Sequence, residues 1–298
     1  MEKVFRRGRI WTALAAAMLM ALPVGYAPAE GGTVAAIPVT ETGAEASQAS
    51  APVIVAGYVP EGRETVDFDG DEGAIEVFED GYVFGEDERQ LIYDTAQYPY
   101  SAIAYMEAEY KCGCSSTGTG FLVSNNKLMT AAHCVVCSEH REWADQIDFY
   151  FGYRDNWHYE YHYDGRWYAF VGSTFPDGYS TKDDWAVVKL YDDVGNTTGW
   201  FGFMYNMADR DITAKLLRLA GYRNGTLKTD SGYADTGSQN LLKYKMDMEP
   251  GNSGAPVYFL DGDTPYAAAI NIAENPKTNY GYRITDTIYR YYEELDGY

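Results

Sequence analysis

From Arg89 to the C-terminus the sequence is a succession of short apolar runs separated by turn residues, at 101–106, 120–123, 127–132, 185–190, 215–219 and 255–260. Runs this short, bounded by Gly, Asn, Asp and Ser, are strands, because a helix needs a longer stretch with a 3.6-residue period. Many short strands in one chain bury their apolar faces by curling into a sandwich or barrel, so the expected class is all-β. Asn224-Gly225 marks a hairpin within this pattern. The 28 tyrosines fit the same class, since aromatic side chains are favoured on strands and pack well between sheets.

The N-terminus is organised differently. Lys3, Arg6, Arg7 and Arg9 precede an apolar run over about 10–22, and Ala27-Pro28-Ala29 offers a small-x-small cleavage site, which together read as a secretory signal. The apolar run is well short of the roughly 20 residues that span a bilayer, so export with cleavage is expected rather than a membrane anchor. Residues 30–60 are rich in Ala, Thr, Ser, Gly and Pro without a sustained period and read as flexible. Acidic residues then crowd between 61 and 89. The expected division is a signal peptide at 1–29, an acidic propeptide at 30–82 and a domain at 83–298, with the mature chain outside the cell and off the membrane. A formal net charge of −21 argues against nucleic acid or an anionic membrane as partner, since either needs a basic face.

Three stretches carry chemistry. Gly251-Asn252-Ser253-Gly254 surrounds a serine with little side-chain bulk, so that the amides of Gly251 and Ser253 can turn toward one point, and Thr130-Ala131-Ala132-His133 ends an apolar run on a histidine. A serine hydroxyl is a poor nucleophile near neutral pH until an imidazole takes its proton, and the oxyanion that follows needs donors already aimed at it. Between these stretches, Asp183-Asp184-Trp185 brings a carboxylate to the start of an apolar strand, where it can hold the second ring nitrogen of His133. His158, Glu160 and His162 alternate along the chain and share one face if that stretch is a strand, which invites a zinc reading. Same-face neighbours on a strand are about 7 Å apart, long for one ion, so a solvated face is expected there, with no metal.

In their order, His133 then Asp184 then Ser253, these motifs resemble the chymotrypsin-fold serine proteases. Within them the chain is most similar to the bacterial secreted glutamyl endopeptidase group, through Asp87-Glu88-Arg89, Asp94-Thr95, Tyr98-Pro99-Tyr100, Gly195-Asn196-Thr197, Gly199-Trp200-Phe201-Gly202 and Gly281-Tyr282-Arg283-Ile284-Thr285. The resemblance covers roughly 83 to the C-terminus. It implies two six-stranded antiparallel β-barrels meeting near 192–207, with His133 and Asp184 on the first, Ser253 on the second, a cleft between them, and a short C-terminal helix over 285–295. It also implies a monomeric secreted serine endopeptidase that acts on protein or peptide substrates without a cofactor, and that is freed of its propeptide by a processing protease or by self-cleavage. It selects Asp184 over Asp183, because the family's aspartate immediately precedes a bulky residue, then Ala and an apolar pair. The rival, a catalytically inactive binding protein of the same fold, usually shows a substituted triad member; all three are present here.

Cys112, Cys114, Cys134 and Cys137 form two close pairs. In a reducing compartment such spacing suggests tetrahedral zinc; in an exported chain disulfides are expected. The resemblance adds that the cysteine after the histidine often bridges back to the preceding strand, so one or two clamps are expected between 112–114 and 134–137. The pairing stays open, although a Cys112–Cys114 bridge would be strained. Asn252 replaces the aspartate with which animal trypsin-like enzymes pair their new N-terminus; in the glutamyl group that terminus can lie near the specificity pocket, a role that would fall near Val83. That group reads glutamate through a histidine and a small hydroxyl residue. The resemblance puts Asn271 and Met248 at those positions and Asp247 where trypsin selects Lys and Arg, so these three are the expected substrate-binding residues and strong glutamate preference is not expected.

Overall fold

The computed structural model describes residues 24–26, 37–38, 52–63, 83–155, 157–172, 183–237, 240–275 and 277–298. Most of the expected signal peptide and most of the expected propeptide lie outside them. The rest forms two curled antiparallel sheets and one short C-terminal helix, the expected chymotrypsin-like architecture. In the first sheet the strands run in the spatial order Tyr161–Tyr163, Ala144–Phe151, Ile103–Tyr110, Ser115–Leu122, Lys127–Thr130, Ala186–Leu190 and Trp167–Val171, with Val24–Tyr26 and Ile37–Pro38 added beyond the last. The second runs Ala234–Thr236, Leu241–Tyr244, Thr278–Arg283, Thr264–Asn275, Pro256–Asp261, Leu217–Arg223, Thr226–Gly232 and Gln90–Leu91. To this sheet Gly202–Tyr205 adds itself by pairing in parallel with Thr264–Asn275.

The sheets hold nine and ten strands rather than six each, and segments from the N-terminal part of the chain supply some of the added strands by pairing with open edges. Val53–Val55 is one of them. It lies antiparallel to Gly202–Tyr205, and just beyond it Tyr58 and Trp200 exchange backbone hydrogen bonds of 2.9 and 3.0 Å while their rings stack at 4.4 Å. The expectation that 30–60 is flexible is corrected at 53–55: the run Val53-Ile54-Val55 is short, but its β-branched residues suit a strand and Gly202–Tyr205 offers it an edge.

Alternation along Ile103–Tyr110 sends Glu107 and Glu109 to solvent and Met106, Ala108 and Tyr110 inward, as a sheet wet on one face requires. Aromatic rings join the two sheets. Phe201 meets Phe121 at 5.7 Å and Tyr258 at 5.2 Å, and Tyr105 and Tyr153 of the first sheet pack on the buried Tyr222 of the second. The helix Asp286–Glu294 starts at Thr285, whose Oγ1 accepts from the Ile288 amide at 3.3 Å, a helix N-cap. It buries Ile288 and Tyr291 and stacks Tyr291 on Trp185 at 5.8 Å, so the residue after Asp184 is held from behind. Among the described residues no helix is long and apolar enough to cross a membrane.

Candidate active site

His133 sits on the helical turn Ala132–Cys134 that follows the strand Lys127–Thr130. That strand pairs with Ala186–Leu190 so that Thr130 faces Ala186, and the register brings Asp184 alongside the histidine. The His133 Nδ1–H donates to Asp184 Oδ2 at 2.7 Å and the His133 backbone amide to Oδ1 at 3.1 Å. Both carboxylate oxygens are thus committed to one residue. The Asp184 side chain has no exposed surface while His133 keeps 22% of its own, so the imidazole bridges a dry carboxylate and the cleft. Burial works against an imidazolium there, but the charge and hydrogen bond of Asp184 outweigh it and hold the His133 pKa well above its ordinary value. Asp183, the neighbouring carboxylate, is only half-buried.

Ser253 is carried by two consecutive turns. The Asn252 amide donates to the Glu249 carbonyl at 2.9 Å and the Ala255 amide to the Asn252 carbonyl at 3.0 Å. Gly251 and Gly254 each occupy a third turn position, with φ of 104° and 85°, values that type II geometry demands and only glycine adopts without strain. At Gly254 space adds to conformation, since a Cβ would lie 2.0 Å from the Thr119 carbonyl oxygen and 2.1 Å from Thr130 Oγ1.

The first sheet grips this loop at several atoms. The Ser253 carbonyl accepts the Thr119 amide at 2.8 Å and the Cys134 thiol at 3.5 Å. The Gly251 carbonyl accepts Thr119 Oγ1 at 2.8 Å, and that hydroxyl in turn accepts the Tyr222 amide at 2.9 Å. Serine and histidine are thereby fastened to one another through Thr119 and Cys134. Asn252, buried, donates from Nδ2 to the Tyr222 carbonyl at 3.0 Å and accepts the Glu249 amide on Oδ1 at 2.8 Å. Neither Thr119 nor Tyr222 announces this role in the sequence, because their partners lie 30 to more than a hundred residues away.

The three residues expected to meet substrate are deeply buried, and two have their polar atoms engaged within the protein. Asn271 accepts from the Tyr244 hydroxyl at 2.6 Å and donates to the Asn252 carbonyl at 2.9 Å, so its carboxamide braces the loop that carries Ser253. Asp247 accepts the backbone amides of Phe84 at 2.8 Å and Glu88 at 3.3 Å. Met248 is 1% exposed. Beside Asp247, the Asp230 carboxylate accepts the amides of Asp247 and Ser231 at 2.6 and 2.7 Å. Burial first, then the charges of Asp247 and Glu88, outweigh those amides and push the Asp230 pKa up to about 6. Arg89, equally enclosed, joins Asp87 at 2.7 Å and Glu249, which also pairs with Arg223. Burial would raise the Asp87 pKa, yet Arg89 and Lys228 hold it down at about 2.

No disulfide joins the four cysteines in this structure. The expected clamp through Cys134 has no partner sulfur to meet: its Sγ packs over Gly118, where a Cβ would be 2.6 Å away. The members of the alternating trio take separate partners: His158 pairs with Asp155 at 2.7 Å, His162 with Asp148 at 2.7 Å, and Glu160 with Arg63.

A family model described as trypsin-like peptidase domain matches residues 118–263, a span that contains His133, Asp184 and Ser253. A Bacillus subtilis protein named extracellular metalloprotease is 30% identical over 223 residues, covering 72% of this chain and 70% of that protein. The chain belongs to the trypsin-like serine peptidases. Glutamyl endopeptidase of Bacillus licheniformis is 29% identical over 182 residues, 59% of this peptidase and 54% of the relative. Among solved structures, a Glu endopeptidase in complex with MPD superposes with a TM-score of 0.62 at 23% identity, over 72% of this peptidase and 100% of that chain. Protease Anisep from Arthrobacter nicotinovorans gives 0.57 at 19%, over 70% and 100%. These likenesses show the two-sheet chymotrypsin-like fold.

A titration follows from Asp230. Its folded pKa of about 6 lies above the roughly 3.9 of an unfolded aspartate, so its contribution to stability is fully present below about pH 4 and is lost as pH rises through about 6. Denaturant unfolding of this peptidase between pH 4 and 6 should show that falling component, and Asp230→Asn should lack it. Identical pH slopes for the two proteins would refute the assignment.

Proposed function

We propose that this peptidase is a secreted serine endopeptidase with Ser253 as nucleophile, His133 as general base and then acid, and Asp184 as the group that fixes the imidazole. The observation that carries this is the 2.7 Å contact between His133 Nδ1 and a fully buried Asp184, on a segment fastened to the carbonyl of Ser253. In acylation Ser253 Oγ bonds to the scissile carbonyl carbon while its proton passes to His133 Nε2. The tetrahedral oxyanion is held by the amides of Gly251 and Ser253, and the C–N bond then breaks as His133 protonates the departing amine. Water repeats the sequence to release the acyl group. Asp184 stays ionised throughout and favours the imidazolium that each half-reaction forms.

The N-terminal part we read as a signal at 1–29 and a propeptide at 30–82. Support comes from Phe84, whose amide lies on Asp247; a chain beginning at Val83 would bring its ammonium group to within one residue of that carboxylate. The B. subtilis relative is named an extracellular protein, in keeping with export. Specificity we read from what is spent: Asp247 is taken by backbone amides, Asn271 by Tyr244 and Asn252, and neither leaves a charged group free for a substrate side chain. A charged residue bound without a partner costs several kcal/mol.

Two measurements test this reading. Ser253→Ala and His133→Ala should fold while turnover falls by several orders of magnitude. Asp184→Asn should lower kcat about ten-thousand-fold and move the ascending limb of the pH profile to lower pH, because the charge that raises the His133 pKa is gone; Asp183→Asn should be mild. The reverse ranking of the two aspartates would sink the assignment. In a mixed peptide library, cleavage after Glu should not dominate; a profile dominated by Glu would show that other groups receive the substrate.

A further inference from the structure

Two loops of the first sheet meet at a place that catalysis does not use. The hairpin joining Ile103–Tyr110 to Ser115–Leu122 turns at Cys112-Gly113-Cys114. There the Gly113 amide donates to the Tyr110 carbonyl at 2.9 Å, the Tyr110 amide donates to the Cys114 carbonyl at 3.0 Å, and Gly113 has φ of 82°. This is a three-residue hairpin loop with glycine in the left-handed position. The facing loop follows the histidine and is closed by the Cys137 amide on the Glu142 carbonyl and the Arg141 amide on the Cys137 carbonyl, both at 2.7 Å, with Arg141 at φ of 59°. It carries Cys137 and His140.

The three sulfurs and one imidazole nitrogen of Cys112, Cys114, Cys137 and His140 all lie within 4.8 Å of one another. His140 Nδ1 is 3.4 Å from Cys114 Sγ and 3.6 Å from Cys137 Sγ. Tetrahedral zinc, with Zn–S of about 2.3 Å and Zn–N of about 2.0 Å, sets its ligand sulfur and nitrogen about 3.5 Å apart. Four donors of this kind, drawn from two loops, make a complete structural zinc shell, and the soft thiolates select zinc over calcium or magnesium. A disulfide accounts for the cluster less well: any pair of the three sulfurs leaves the third thiol and His140 over, and Cys134 is turned away toward Gly118 and Ser253.

We propose that Cys112, Cys114, Cys137 and His140 bind one structural zinc ion. Binding releases the three thiol protons to solvent, leaving three thiolates and a neutral imidazole around the metal. The ion ties the first hairpin to the loop that leaves His133, where Tyr110 already donates to the His133 carbonyl at 3.3 Å. It therefore steadies the segment that holds the imidazole and takes no part in bond breaking.

The test is metal analysis of the full chain purified without chelator or added metal, together with its intact mass. About one zinc per chain is expected, falling to on the order of a tenth in Cys112→Ser with Cys137→Ser. Because those variants can fail to fold, the wild-type protein should also be stripped and reloaded with cobalt, which should develop the intense thiolate-to-cobalt absorption of a tetrahedral sulfur-rich site, and its melting temperature should fall on stripping. A zinc-free protein lighter by two hydrogens would overturn the proposal in favour of a disulfide. So would zinc that persists in the double variant, or cobalt bound without thiolate absorption. None of these outcomes depends on the identity of the nucleophile, so the zinc site and the proposed catalysis stand or fall separately.

Discussion

The interlock around Thr119 and Gly254 is the contact on which the rest depends. One residue of the first sheet donates its amide to the Ser253 carbonyl and its hydroxyl to the Gly251 carbonyl, while Gly254 approaches so closely that no side chain fits. His133 and Ser253, the proposed catalytic pair, are split between two sheets and have no covalent reason to stay in register. Positioning errors near 1 Å can cost a hundredfold in rate, so the sheets must be joined at the atoms that matter. Here the loop that bears the serine is hydrogen-bonded to Thr119 of the strand Ser115–Leu122 and to the thiol that follows the histidine.

The fold class and the motif residues were legible because they rest on local signals. Short apolar runs identify strands, and Gly251 and Gly254 announce turns whose backbone only glycine tolerates. The pairing of His133 with Asp184 rather than Asp183 was legible through Trp185, and the structure supplies its physical content: Trp185 is buried under Tyr291, which leaves Asp184 facing the histidine. Strand counts were not legible, since pairing of Val53–Val55 with Gly202–Tyr205 depends on an edge that only the folded sheet creates. Asn271 and Asp247 illustrate a second limit. A position along the chain says which residue stands near a pocket, but not that Tyr244, Asn252, Phe84 and Glu88 engage its polar atoms first. His140 shows a third, for a ligand set divided between loops has no single spacing to recognise.

Charge is arranged around the Ser253 loop as well. Arg89 and Glu249 are both enclosed, and removing one partner of such a pair typically costs about 3–5 kcal/mol because the other is left buried and unpaired. Arg89 also binds Asp87, within the stretch that reaches Asp247 through Phe84 and Glu88. The segment at 83–91 thus lies against the turn that carries Gly251 and Ser253. Its placement couples the start of the domain to the geometry of the loop, without the aspartate that Asn252 replaces.

The central claim is that His133, held by Asp184, makes Ser253 a nucleophile. Labelling with a fluorophosphonate followed by peptide mapping reads that property directly. The account predicts one adduct, on Ser253, formed by the wild-type protein and suppressed in His133→Ala. Peptide-bond cleavage that persists with Ser253 unlabelled, or an adduct on a different residue, would contradict it.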